Sequence, residues 1–247
     1  MNKHVFKPTL NPIKYLLSMN GGRSYADAVT NSRGQVWVTG GWDGKHRHNT
    51  TEVMIPASGE GEDAWVQGES LTFARYQHCG VTLGDGSVVI TGGQEGEGKH
   101  GEALDTVERY EWGGRRLEAM PRLLEARWTH ACGLVRLAGR EAVIVAGGRV
   151  TSGPGDELDT VELLIIGQTG WRPRQPLPEP RLAPAMVVIN NTPLLIGGNY
   201  ATGVKDETFP DTALEYDVEA DTWRPVARLR GRSHHAMVTI KSSKLSC

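Results

Sequence analysis

Apolar residues along this chain fall in short runs, and the runs return at a fixed spacing. A β-branched run ending in a Gly-Gly pair occurs at VWVTGG (Gly40, Gly41), VVITGG (Gly92, Gly93), VIVAGG (Gly147, Gly148) and LLIGG (Gly197, Gly198). Successive pairs are 52, 55 and 50 residues apart. A second run opens on an arginine: RSYADAV at Arg23, RYQHCGV at Arg75, RWTHACGLV at Arg127, RLAPAMV at Arg181 and RSHHAMV at Arg232, at steps of 52, 52, 54 and 51. Two further signals keep this phase. One is an acidic, β-prone stretch around Glu52, Glu108, Glu162 and Glu215. The other is a bulky residue, Trp65, Leu117, Trp171 or Trp223, nine or ten positions before the next arginine.

Each period therefore holds four short apolar runs separated by Gly, Asp, Asn or Pro, the pattern of a four-stranded antiparallel meander. Such a sheet has two faces to bury, so it must stack on its neighbours, radially or along a solenoid. The run after each arginine carries small residues, among them Ala26, Ala28, Cys79, Gly80, Ala131, Gly133, Ala185 and Ala236, whereas the fourth run carries tryptophans. Crowding near an axis and space at the rim explain both, so radial packing is expected. The Gly-Gly pairs then mark places where φ turns positive or another backbone passes close by.

These residues resemble the kelch repeat: an Arg before a His-Ala-rich strand, a Gly-Gly doublet, a V-E-x-Y strand and a spaced Trp, best seen in YDVEADTW from Tyr216 to Trp223. The resemblance runs from about residue 13 to 240. It implies an all-β, kelch-type β-propeller with four complete four-stranded blades and a partial fifth, as a segment of a larger, six-bladed ring. The expected organisation is an N-terminal extension over 1–12, the propeller segment over 13–240 and a tail over 241–247. IKYLLSMNGG resembles an outer strand and RSHHAMVTI an inner one, which would have to pair to close the ring. Departures are Leu117 in the Trp slot, Leu163-Leu164 where Tyr-Asp is usual, and Pro184 where the inner strand usually has His.

Composition narrows the function. Glycine supplies 31 of 247 residues, well above the usual ~7%, in keeping with a turn-rich protein. A net charge of −2 argues against a general binder of nucleic acid or of acidic membranes. Cys79, Cys132 and Cys247 are odd in number and widely spaced, which points away from a secreted disulfide framework and toward a reducing, cytoplasmic compartment. The longest apolar run near the start, Tyr15-Leu16-Leu17, is too short for a signal core or a membrane span.

Local motifs compete with the repeat and lose. Gly93 to His100 satisfies G-x-x-x-x-G-K, but His100 stands where a magnesium-ligating Ser or Thr is needed, Glu95 and Glu97 would repel phosphate, and no helix follows. His78, His130 and His235 share one slot three residues after a blade arginine, so the ring would spread them apart. His46 and His48 form a surface-loop pair without ligand spacing. No metal and no cofactor are expected. Galactose oxidase-like enzymes and sialic-acid epimerases resemble kelch propellers, so an enzyme acting on a sugar or small metabolite is the alternative function, but no acid, base and nucleophile cluster by spacing.

Residues repeated in every blade build the blade, while loop positions that differ between blades encode specificity. Arg23, Arg75, Arg127, Arg181 and Arg232 belong either to ion pairs with a neighbouring blade's carboxylate or, as the resemblance implies, to one mouth. Beside them stand Ser24, Tyr76, Trp128, Leu182 and Ser233, and after the doublets Trp42, Gln94, Arg149 and Asn199. Trp, Tyr and Arg are the residues enriched in interface cores. The expected function is a protein-interaction module recognising a partner protein, an acidic peptide being favoured for its match to arginine. The resemblance implies substrate reading within a ubiquitin-ligase adaptor, or cytoskeletal binding, with any oligomerisation outside these residues. Nucleotide affinity is not expected: ATP should leave the intrinsic fluorescence of the chain unchanged, and micromolar binding lost in Lys99→Ala would overturn that.

Overall fold

The computed structural model describes residues 18–57, 63–96, 101–112, 115–153, 155–202 and 206–234, and all regular structure there is β-strand. The first period forms β1 (Asp27–Thr30), β2 (Val36–Thr39), β3 (Thr51–Ile55) and β4 (Ala64–Gln67). The second forms β5 (Cys79–Thr82) and β6 (Val88–Thr91), a small ribbon β7 (Gln94–Glu95) and β8 (Glu102–Ala103), then β9 (Val107–Tyr110) and β10 (Arg116–Ala119). The third forms β11 (Ala131–Leu137), β12 (Arg140–Ala146), β13 (Val161–Ile165) and β14 (Arg172–Arg174). In the fourth, β15 (Ala185–Ile189) and β16 (Thr192–Ile196) precede a ribbon of β17 (Tyr200–Ala201) and β18 (Glu207–Thr208), followed by β19 (Thr212–Asp217) and β20 (Thr222–Arg228). Ribbons apart, each period is one four-stranded antiparallel sheet whose strands are ordered as in the chain.

The first strands of the sheets, β1, β5, β11 and β15, lie each against the next. Packing between sheets explains why the second strands read as unbroken apolar runs rather than alternating ones. Along β12, Ala142, Ile144 and Ala146 face Leu195, Leu214 and Tyr216 of the fourth sheet, while Val143 and Val145 face Val81, Val89 and Val107 of the second. Between the first two sheets, Trp37 and Val53 meet Val88, Ile90 and Tyr110. At the periphery Trp171 Nε1 donates to the Pro121 carbonyl and Trp223 Nε1 to that of Gln175, each at 2.9 Å. The spaced tryptophan thus tethers an outer strand to the segment that leaves the sheet before it.

The doublets behave as expected. Gly92 has φ +57, and a Cβ there would stand 2.4 Å from the Arg127 carbonyl oxygen; Gly93 has φ +100, and its Cβ would stand 2.9 Å from that of His78. Gly40, Gly41, Gly147, Gly148, Gly197 and Gly198 share the positive φ. In each pair the second N–H crosses to the next period's arginine: Gly41, Gly93, Gly148 and Gly198 donate to the carbonyls of Arg75, Arg127, Arg181 and Arg232 at 2.8–2.9 Å. A fifth period thus begins in the same register at Arg232. The expected closing strands, 13–20 and 232–240, lie largely outside the described residues. Ile189, on the face of β15 turned away from the third sheet, is 48% exposed.

Gly93→Val combines a disfavoured φ with a backbone clash and should destabilise the fold by several kcal/mol. Thermal melts check this, and an unchanged transition would show that the doublet is dispensable.

Candidate functional site

Building the proposed mouth from its residues starts with the arginines, which turn inward. Arg75 donates through Nη1 to the Gly92 carbonyl at 2.8 Å and through Nη2 to Glu108 Oε1 at 2.9 Å. Arg127 does the same with Gly147 at 2.8 Å and Glu162 at 2.7 Å, and Arg23 with Gly40 at 2.9 Å and Glu52 at 2.8 Å. Every one of these acceptors belongs to the arginine's own sheet, which corrects the expectation of a neighbouring blade's carboxylate. Arg75, Arg127 and Arg181 are 0% exposed, and the Arg23 side chain is 5% exposed. These four therefore leave the partner-contacting set: a residue sealed inside a blade cannot reach a partner. Burial pushes the guanidinium of Arg75 and of Arg127 down in pKa, and Glu108 and Glu162 push back.

The fourth blade departs from this scheme, and the sequence alignment of its glutamate is off by one. Leu214 pairs with Leu195 as Glu162 pairs with Val145, so a leucine fills the buried slot. Glu215 instead faces outward to Arg224 at 2.6 Å. Arg181 keeps its carbonyls, Gly197 at 2.9 Å and Thr212 at 3.0 Å, and recruits Glu179 at 2.9 Å from just before itself. Arg232 stands apart as exposed, its Nε donating to the Arg230 carbonyl at 3.2 Å.

Two residues after each arginine the chain passes through the left-handed region: Tyr25, Gln77, Thr129, Ala183 and His234 have φ between 51° and 56°. Their backbones form a staircase round the axis. Gln77 N–H donates to Tyr25, Thr129 to Gln77, Ala183 to Thr129 and His234 to Ala183, at 2.8–3.2 Å. No residue type marks this position, which is why sequence reasoning missed it. One residue later His78 and His130 pin blades together: His78 Nε2 lies 2.8 Å from Thr39 Oγ1, and His130 Nε2 lies 2.8 Å from Thr91 Oγ1. Thr91 gives its own proton to the Cys79 carbonyl, so the His130 Nε2–H is the donor in that pair. Burial lowers the His78 pKa to about 3 and that of His130 well below its usual value. At the next joint Ala146 replaces the threonine and Pro184 the histidine, so the odd Pro184 is matched by its neighbour. His235 lies outside the described residues.

The remaining predicted residues come together in pairs. Ser24 bridges Trp42, Tyr76 bridges Gln94, Trp128 bridges Arg149 and Leu182 bridges Asn199, each with two backbone hydrogen bonds. The residues that follow Ser24, Tyr76, Trp128 and Leu182 in the chain line an open depression of about 320 Å³, among them Tyr25, Gln77, His78, Thr129 and His130, together with His234. Tyr25 is 51% and Trp42 38% exposed, Tyr76 and Trp128 are half-buried, and Tyr25 meets Tyr76 edge-on at 6.0 Å. Arg47 lies over the Tyr76 ring at 4.7 Å and Arg149 over Trp128 at 5.5 Å, where Arg149 also pairs with Glu157 at 3.4 Å. Gln94 and Asn199 are buried, so they support the rim rather than face a partner. His46 and His48 turn to Asp43, at 3.8 and 3.3 Å. Among the described residues no cluster of three metal-binding side chains occurs, and no helix is long and apolar enough to cross a membrane. Ser233 Oγ lies 3.1 Å from His234 Nδ1, an exposed pair.

Cysteines bring a second correction. Cys79 and Cys132, read from sequence as separate thiols, form a disulfide between β5 and β11. One joint earlier, Asp27 is half-buried and accepts the Gly80 N–H at 2.6 Å. Burial raises its carboxyl to about 6, against the pull of the Gly80 and Ala28 N–H groups. Nothing in the repeat singled it out within the run RSYADAV.

No model of a known protein family matches the chain. It is 26% identical over 205 residues to Kelch-like protein 23 of Mus musculus, covering 80% of this chain and 32% of that protein. The Homo sapiens counterpart is 25% identical over the same length. Kelch-like protein 35 of Mus musculus is 35% identical over 72 residues, 29% of this chain and 12% of that one. Among solved structures, that of YjhT superposes with a TM-score of 0.69 at 13% identity, over 88% of this chain and 69% of its own. The chain is a kelch-repeat propeller. It spans about a third of the length of the Kelch-like protein 23 chains it matches. Within this propeller the blade arginines, glutamates and doublets are construction, and the bridged pairs are the variable face.

The Asp27 carboxyl gives the kelch propeller a pH dependence whose sign follows from its raised pKa. The native state holds the proton more tightly than the unfolded chain, so this stabilisation is complete below the ordinary carboxylate pKa and is lost as pH rises through about 6. Asp27→Asn keeps an oxygen for the Gly80 N–H without the charge. It should gain on the order of 2 kcal/mol relative to wild type as pH goes from acidic to neutral. Parallel curves of melting temperature against pH would overturn this.

Proposed function

We propose that this propeller is a protein-interaction module that receives an extended segment of a partner protein across the rim of its axial depression. The observation supporting it is that Tyr25 lines the depression while Tyr76 and Trp128 directly precede its lining residues Gln77 and Thr129, and Trp42 is bridged to Ser24 beside Tyr25. Aromatic side chains offer large contact area at small entropic cost, and such anchors dominate interface energies.

Partner chemistry follows from which cations remain. With four blade arginines sealed, an acidic segment meets Arg232 and the partly paired Arg149, so aromatic contact supplies most of the affinity and charge only its register. Binding should therefore fall modestly with salt. Similarity to Kelch-like proteins over 80% of the chain supports recognition of a partner protein; in substrate reading within a ligase adaptor or on the cytoskeleton, these residues would supply recognition alone.

Trp128→Ala or Trp42→Ala should leave the melting temperature near wild type and weaken capture of a partner peptide selected from an array by about 2 kcal/mol or more. Titration calorimetry against that peptide checks it. Unchanged affinity in both variants would place the binding face elsewhere, and turnover of a sugar by the purified chain would favour the enzyme.

A further inference from the structure

Around the axis, neighbouring first strands meet on one diagonal: the residue four after one blade's arginine faces the residue five after the next blade's. At the first joint these are Asp27 and Gly80, joined by a hydrogen bond. At the third they are Ala131 and Met186, in one apolar cluster. At the second they are Cys79 and Cys132, with Cα atoms 6.0 Å apart and a sequence separation of 53. The covalent link thus encloses one whole blade period. Polar ties beside it are the Thr129–Gln77 backbone bond at 2.9 Å and the Gly93–Arg127 bond at 2.9 Å, with the His130–Thr91 pin at 2.8 Å, and apolar packing joins the same two sheets farther out.

We propose that the Cys79–Cys132 pair is a redox-controlled staple that sets the rigidity of the joint between the second and third blades. Tyr76 and Trp128 lie three residues before Cys79 and four before Cys132, so the staple also holds two rim aromatics at a fixed spacing. That consequence rests on the protein-interaction reading; the staple does not. A disulfide with a sulfur within reach of solvent is open to thiol exchange, and Cys79 is half-buried.

The reductant is a small or protein dithiol. One of its thiolates attacks Sγ of Cys79, the half-buried partner. The S–S bond breaks, and Cys132 leaves as thiolate and takes a proton. The second thiolate of the reductant then displaces Cys79 sulfur, which is protonated in turn. Two electrons and two protons end on the cysteine pair, and the reductant becomes a disulfide. Cys132 Sγ lies 3.7 Å from the Gly80 carbonyl, an acceptor already in place for the S–H that reduction creates. Both states are thereby accommodated, the reduced one without a cross-link.

The test uses the full chain with no partner present, so its outcome is independent of whether the rim binds protein. Alkylation under denaturing conditions followed by mass spectrometry should find only Cys247 free before treatment with dithiothreitol and all three cysteines free after it. Reduction should lower the melting temperature by about 5–10 °C and raise amide exchange at Gly80–Thr82 and Cys132–Leu134. A double variant, Cys79→Ser with Cys132→Ser, should melt like the reduced wild type and ignore dithiothreitol. Three free thiols in protein prepared without reductant, or a melt of the oxidised protein unmoved by reduction, would overturn the proposal.

Discussion

A guanidinium taken out of water must find acceptors for its donors, and in this propeller that requirement organises each blade. Arg75 reaches the Gly92 carbonyl and the Glu108 carboxylate at once, so one side chain fixes the end of the second strand against the third. Breaking such a buried pair leaves an unpaired charge, which is far costlier than the pair itself is stabilising. The rim depends on this clamp directly. Its bridged residues are the ones next to the arginine and next to the doublet, Trp128 and Arg149 for example, so the clamp determines where the variable side chains emerge. The fourth blade shows which part is indispensable: the carbonyl contacts survive when Leu214 displaces the glutamate, and a carboxylate is recruited from Glu179.

Joints between blades combine a constant element with a variable one. The constant element is backbone: the left-handed residue after each arginine and its bond to the preceding blade, with the doublet N–H to the next arginine's carbonyl. Because these need no particular side chain, the diagonal beside them is free to differ, and it holds a carboxylate, a disulfide or an apolar pair at successive joints. Uniform geometry with varied chemistry is how a repeat scaffold keeps its shape while its parts acquire separate sensitivities. The Thr–His pins obey the same logic, since Pro184 appears only where Ala146 has already removed the hydroxyl.

Function follows from what the scaffold leaves over. Once arginines, doublets and histidines are assigned to construction, the side chains with surface to offer at the mouth are aromatic, with Arg149 stacked on one of them. The neutral, buried histidines contribute no acid or base at ordinary pH. The proposed recognition of a protein segment rests on this balance, and the proposed staple lies beside it.

Period, strand order and the places where glycine is obligatory were determined by the sequence alone, because a spacing near fifty residues admits few ways of burying a four-stranded sheet on both faces. Even the members of the bridged pairs, Tyr76, Gln94, Leu182 and Asn199 among them, could be listed, since phase places them at the same two loop positions in every blade, though not which would bridge which. Direction was another matter. Whether Arg127 points out to a partner or in to Glu162 depends on which carbonyls converge beneath it, and that is a property of three strands brought together from different parts of the chain. Phase also cannot see a one-residue slip, so Glu215 passed for the buried glutamate until its pairing showed Leu214 in that slot. Cys79 and Cys132 looked remote because sequence separation hides a diagonal contact between neighbouring blades. Only the curvature of the ring, set by how closely the first strands pack about the axis, decided that they meet.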